Sequence, residues 1–480
     1  MKGVTVTNGI YELTGTLPDS PYWNHDIAPT RLADRRWGMK DIAALWISMS
    51  ACIPTYMLAS SLISEGMNWR QAVLTIFLGN SIVLMPMVLN AHAGTKYGIP
   101  FPVYCRPSFG IQTWIGGWAI YKIMTIYIPA WEALPAFWGG INAAQFACFM
   151  FFWCINMLVI YKGIESIRIL LDIKAPLLIL LGLALLAWAY RRAGGFGPIL
   201  SQPSQFAPGG PKAGQFWKVF FPSLTGMIGF WATLSLNIPD FTRYSKTQRD
   251  QMIGQAVGLP TTMGLYSFIG VAVTSATAVI YGSTIWDPVV LITKFTNPIV
   301  LTVSLFALCL ATLATNLAAN VVSPANDFSN LWPSRVNFRT GGLITGIIGI
   351  LIQPWKLVAD PSGYIFTWLV GYSALLGSIG GVLICDYYLI RATQLELPEL
   401  YTRDGRYWYN NGFNLAAVAA LILGILPCVP GFLDVVKIAT TSPFFKTLYS
   451  YAWFVSFAVS FSAYYSLMRA TNITAKELKF

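Results

Sequence analysis

Apolar runs of about 20 residues recur along the whole chain, separated by short polar connectors. Each run matches one crossing of a hydrocarbon layer ~30 Å thick at 1.5 Å per helical residue. A backbone inside lipid must satisfy every N–H and C=O internally, so such runs fold as helices. Twelve spans are expected: Ile42–Met67, Ala72–Asn90, Ile111–Ile128, Ala143–Tyr161, Ile167–Tyr190, Phe216–Ile238, Val257–Tyr281, Ile299–Val322, Leu343–Val358, Tyr364–Ile390, Leu415–Phe432 and Leu448–Met468. They are called spans 1 to 12 in that order.

Composition supports an all-α membrane protein. Of 480 residues, 55% are hydrophobic and 11% charged, against ~25% charged in soluble domains. The net charge of +11 does not point to nucleic acid, because the basic residues stand singly between apolar runs rather than in a patch. Their larger share falls on one side of the bilayer if both termini are cytoplasmic, which also requires an even number of spans. Met1 to Trp37 has no apolar signal-peptide core, so span 1 is expected to act as its own insertion signal. The seven cysteines show no zinc spacing and no disulfide framework.

Hydrolytic, redox and nucleotide-binding signatures are absent: no HExxH, GxSxG, P-loop or dinucleotide fingerprint. An enzyme and an ATP-driven pump are disfavoured, and no organic cofactor is expected. Spans 1 and 6 share a different feature. Pro54 sits near the middle of span 1, and span 6 carries Gly226, Gly229 and two flanking prolines. Interrupted helices five spans apart suggest an inverted repeat around a midplane site; harmless kinks are the alternative.

Polar residues inside the spans mark the candidate chemistry. Asn316 and Asn320 in span 8 are four residues apart and share a helical face. An amide offers donor and acceptor together, as a lactam or ureide edge requires; contact between helices is its other use. Gln112, Trp114 and Trp118 lie together in IQTWIGGW, and Trp231 lies in span 6. Indoles stack on planar rings, although core packing is the commoner role. Lys122, Asp172 and Lys174 place charge inside spans 3 and 5, where a pathway role competes with snorkelling. Asp240 closes span 6 beside Arg243 and reads as half of a structural or gating salt bridge.

The stretches APTRLADRRWG, ALWISMSACIPTYML, NAHAGTKYGIPFPV, RPSFG, FGIQTW, KGIESIR, NIPDFTRY, NLAANVVSPA, QPWKL, CDYYLIR and LYTRDGRYWY run nearly end to end. Through them the chain resembles the first nucleobase–cation symporter family, its allantoin-permease branch above all. The resemblance implies a five-plus-five inverted-repeat core of amino-acid-transporter type at 41–390. An arm at 1–40 precedes it, and two further helices with a tail follow at 391–480. It implies a symporter in the plasma membrane, acting as a monomer on a planar, amide-rich heterocycle or ureide such as allantoin, uracil or hydantoin.

Matched position by position, the family's substrate site falls on Gln112, Phe230, Trp231, Asn320 and Cys52, the last replacing an amide. Its cation site falls on Ser48, Ala51, Ala311, Ala314 and Thr315. Ala314 replaces a hydroxyl, so proton coupling competes with sodium. Relatives also carry on the order of 20 residues, one helix's worth, between RPSFG and WFGIQTW. Here RPSFG runs straight into IQTW, which shortens span 3. A relative that binds or senses substrate without transporting it is therefore the second functional expectation.

Overall fold

The computed structural model describes residues 4–15, 19–111, 143–351, 369–403 and 405–471. Among these, seven helices are long and apolar enough to cross a membrane: Trp69–Tyr97, Ile164–Ala193, Phe216–Asn237, Gln248–Tyr281, Pro298–Leu331, Val370–Ile390 and Leu415–Val435. They fall on spans 2, 5, 6, 7, 8, 10 and 11. A bent pair, Met39–Ser50 and Ile53–Ser64, forms span 1. The helices Ala143–Lys162, Phe338–Leu351 and Ala452–Ala470 lie on spans 4, 9 and 12. Span 3 beyond Ile111, with Gln112, Trp114, Trp118 and Lys122, lies outside the described residues.

The chain is not wholly helical. Strand β1 (Val4–Thr7) pairs antiparallel with β2 (Ile10–Leu13). Asn8 and Gly9 join them with φ of 52° and 76°, the Asn-Gly turn whose twist suits a two-residue hairpin.

Span 1 breaks as Pro54 leads one to expect. Its halves meet at 56° across Ala51 and an extended Cys52. The second half restarts at Ile53, with Pro54 in its first turn, where a missing N–H costs nothing. Span 6 does not break at its glycines. The helix runs unbroken over Phe216–Asn237 and stops only before the short turn Pro239–Thr242. Gly229 instead lets span 10 approach: a Cβ there would lie 2.6 Å from the Leu369 carbonyl. Small residues at such crossings replace the hydrophobic drive that lipid removes. The irregular turn opposite span 1 lies in span 8, where Leu317–Val321 forms one π-helical turn.

At one end of the bundle the connectors lock together through buried arginines. Arg106, 1% exposed, donates to the Leu400 and Tyr22 carbonyls at 2.7 and 2.8 Å and to Asn330 Oδ1 at 2.6 Å. Arg391 pairs with Asp386 at 2.7 Å and donates to the Pro107 carbonyl at 2.6 Å. Asn414, at the head of span 11, donates from its backbone to Phe109 and from its side chain to Ser108, at 2.8 and 2.6 Å. The expected Asp240–Arg243 salt bridge is not formed among the described residues. Asp240 Oδ1 accepts from the Phe101 backbone N–H at 3.0 Å, while Arg243 donates to the Asp26 carbonyl and to Tyr244 Oη. Proline at 239 starts a turn that aims Asp240 at span 2's connector rather than along its own helix toward Arg243.

Candidate functional site

The break in span 1 frees backbone acceptors. Cys52 N–H, the regular helical donor for the Ser48 carbonyl, bonds Ser50 instead at 3.0 Å, leaving the Ser48 oxygen at a helix end without its ladder partner. That oxygen faces span 8, where the Thr315 hydroxyl donates to it at 3.2 Å. Ser48 Oγ donates to the Leu171 carbonyl at 2.8 Å and so ties span 1 to span 5.

Lys174 of span 5 enters this junction. Its Nζ lies 2.7 Å from the Ser48 carbonyl, 2.5 Å from the Ala311 carbonyl and 3.1 Å from Thr315 Oγ1. Three of the five expected cation-site residues therefore converge, and they converge on a lysine. Ala51 packs with Ala311, Leu178 and Tyr266. Ala314 is buried in the main apolar cluster and brings no side-chain oxygen. Lys174 is fully buried, so it does not snorkel. Its neighbour Asp172 points elsewhere, to Arg168 at 3.2 Å, and Arg168 also reaches Asp41 at 2.7 Å.

The residues expected to bind substrate fall into two groups. Cys52 Sγ lies 3.3 Å from Thr55 Oγ1. Thr55 Oγ1 and Trp231 Nε1 both reach Met263 Sδ, at 3.5 and 3.3 Å. Trp231 is 3% exposed and meets Trp46 and Phe230 edge to face, with centroids 5.4 and 5.0 Å away. Its ring is enclosed in this conformation. Trp46, which sequence reasoning did not single out, carries a buried Nε1 with no partner. Asn320 belongs to the second group. It sits exposed on the π-turn and donates to Asn316 Oδ1 at 3.0 Å, while Asn316 donates to Asn156 Oδ1 of span 4 at 3.1 Å. No hydrogen bond among the described residues joins this amide ladder to Trp231. π-turns of this kind are frequent at functional sites.

Comparison with known proteins places this arrangement. A family model described as a permease for cytosine/purines, uracil, thiamine and allantoin matches residues 29–112 and 109–456. The two matched pieces meet where RPSFG runs into IQTW. The purine-uracil permease NCS1 of Arabidopsis thaliana is 43% identical over 476 residues, covering 94% of this chain and 78% of its own. The allantoin permease of Bacillus subtilis is 38% identical over 469 residues, covering 93% of both chains. Among solved structures, Mhp1, a nucleobase-cation-symport-1 family transporter in a closed conformation with bromovinylhydantoin bound, superposes with a TM-score of 0.73. At 22% identity over 96% of this chain and 97% of Mhp1, that likeness shows the shared fold. The chain belongs to the nucleobase–cation symporter family of permeases for cytosine and purines, uracil, thiamine and allantoin, whose members are transporters rather than enzymes.

Proposed function

We propose that this chain is a secondary active, cation-coupled transporter importing a planar, amide-rich heterocycle or ureide, of which allantoin and uracil are the leading examples. The observation that carries the reading is 38% identity to an allantoin permease over 93% of both chains. The amide ladder of Asn320, Asn316 and Asn156 supports it, because paired donors and acceptors complement a lactam or ureide edge. Cys52, Phe230 and Trp231 would provide the ring-facing wall and Gln112 a second amide. The proposed architecture is twelve spans, with a ten-helix inverted-repeat core at 41–390, an arm at 1–40 and two terminal helices with a tail at 391–480. The chain would act as a plasma-membrane monomer with both termini cytoplasmic. Uptake of labelled allantoin, competed with uracil, hydantoin and cytosine in cells expressing the chain, tests the reading. No accumulation, or accumulation that neither unlabelled allantoin nor any of the three others competes, counts against it.

The split family match favours a second reading. Its two pieces meet at 109–112, where the family resemblance implies about one further helix's worth of chain. Without it the chain would bind substrate without moving it. Saturable binding to purified protein together with no accumulation in cells supports this second reading over the first.

A further inference from the structure

We infer that the side-chain nitrogen of Lys174 occupies the cation position of this fold, so that the chain takes no sodium ion there. The coordination shell carries the argument. Two backbone carbonyls, Ser48 and Ala311, and the Thr315 hydroxyl surround Nζ at 2.5–3.1 Å. The Thr315 hydroxyl lies within reach of both the Ser48 carbonyl, at 3.2 Å, and Nζ. With its proton on the carbonyl, its oxygen faces Nζ as an acceptor, and the three acceptors match the three donors of an ammonium.

Among the described residues no carboxylate shares the work. Asp172 is held by Arg168, which is also held by Asp41 and Glu165. The remaining described titratable groups against this point are Cys52, bonded to Thr55, and Tyr266, whose hydroxyl donates to the Leu178 carbonyl. The charge is therefore compensated by oxygen dipoles at the end of a broken helix, the device by which unwound carbonyls hold a free sodium ion. Sodium would need the same lone pairs. Ala314 completes the picture: the position that would add another hydroxyl carries a methyl group, and it is fully buried. Nζ fills the shell that exists, and the shell lacks the oxygen that sodium would require beyond it.

The inference rests on the transporter fold and not on any substrate, and its test uses neither substrate nor transport. Purified full-length protein is unfolded thermally in sodium chloride, potassium chloride and choline chloride at equal ionic strength. For the unaltered protein the midpoints should agree within about 1 °C, because a ligand that does not bind the folded state cannot stabilise it. In the double variant Lys174→Ala, Ala314→Ser, which vacates the position and restores the hydroxyl, sodium should raise Tm by about 2 °C or more over choline, and potassium should not. A sodium-specific rise in the unaltered protein overturns the inference. So does a folded double variant indifferent to sodium, since Lys174 is then not what keeps the ion out. If the variant does not fold, binding of radioactive sodium to the unaltered protein decides: one ion per chain refutes the proposal and none supports it. Failure of the permease reading appears only in the uptake panel and leaves these midpoints untouched.

Discussion

Trp46 and Trp231 meet edge to face, with ring centroids 5.4 Å apart and planes at 89°. The contact joins the first half of span 1 to span 6 across the point where span 1 breaks. It encloses the indole proposed to face the substrate ring, and binding there would exchange an aromatic contact for a stacked one. Trp231→Ala is expected to weaken allantoin binding by ~1–3 kcal/mol, the range for losing a stacked and buried ring. Equilibrium binding to purified, folded variant protein measures this. Affinity equal to that of the unaltered protein would remove Trp231 from the site.

Arg106 gathers the N-terminal segment, the end of span 8 and the connector after span 10 through Tyr22, Asn330 and Leu400. Arg106→Leu leaves these acceptors without their donor in a buried place, and the loss is expected to be on the order of 3 kcal/mol or more. Thermal unfolding in detergent reads it as a lowered Tm. A change within the scatter of surface substitutions would mean that the connectors hold without the guanidinium.

Asp240 gives the stability a pH dependence. Burial pushes its carboxyl up to about 7 from an ordinary 3.8, and its Oδ2 has no partner. The folded state therefore holds a proton that the unfolded chain releases near pH 4. The stabilisation is fully present below that pH and is lost as pH rises through about 7. Asp240→Asn should flatten this slope. The comparison is of Tm at about pH 5 and about pH 8 for both proteins, the unaltered one falling further. Parallel profiles would show that Asp240 does not titrate in this window.

Inserting the stretch that the family resemblance implies between RPSFG and IQTW tests the proposed shortening of span 3 directly. A chimera with on the order of 20 inserted residues, one helix's worth, should accumulate allantoin faster than the unaltered chain. Equal initial rates at equal surface expression would show that the short form transports without it.

The seven long apolar helices and the bent first span were legible because bilayer length and apolar composition constrain a helix before any contact is known. The break in span 1 was legible through Pro54. The π-turn in span 8 was not, since nothing in NLAANV distinguishes it from regular helix. Gly226 and Gly229 misled because a small residue serves a break and a close crossing equally well, and only Leu369 on the neighbouring helix decides between them. The N-terminal hairpin carried a readable signal, alternation on both sides of Asn8-Gly9, that was outweighed by the helical character of the rest. Lys174 was visible as a charge in span 5, and Ser48, Ala311 and Thr315 were visible through the family resemblance. No pattern in the chain joined the two, because which face of one helix meets another is a tertiary fact.

The cation at the junction of spans 1, 5 and 8 is covalently part of the chain. A dissociable ion that crosses with its cargo moves a charge through the membrane field, worth about 2.3 kcal/mol for each 100 mV. An ammonium anchored to Lys174 cannot dissociate and complete that passage. The place where a sodium-driven carrier harvests electrical potential is, in this protein, held by a tethered nitrogen that stays behind on every turnover.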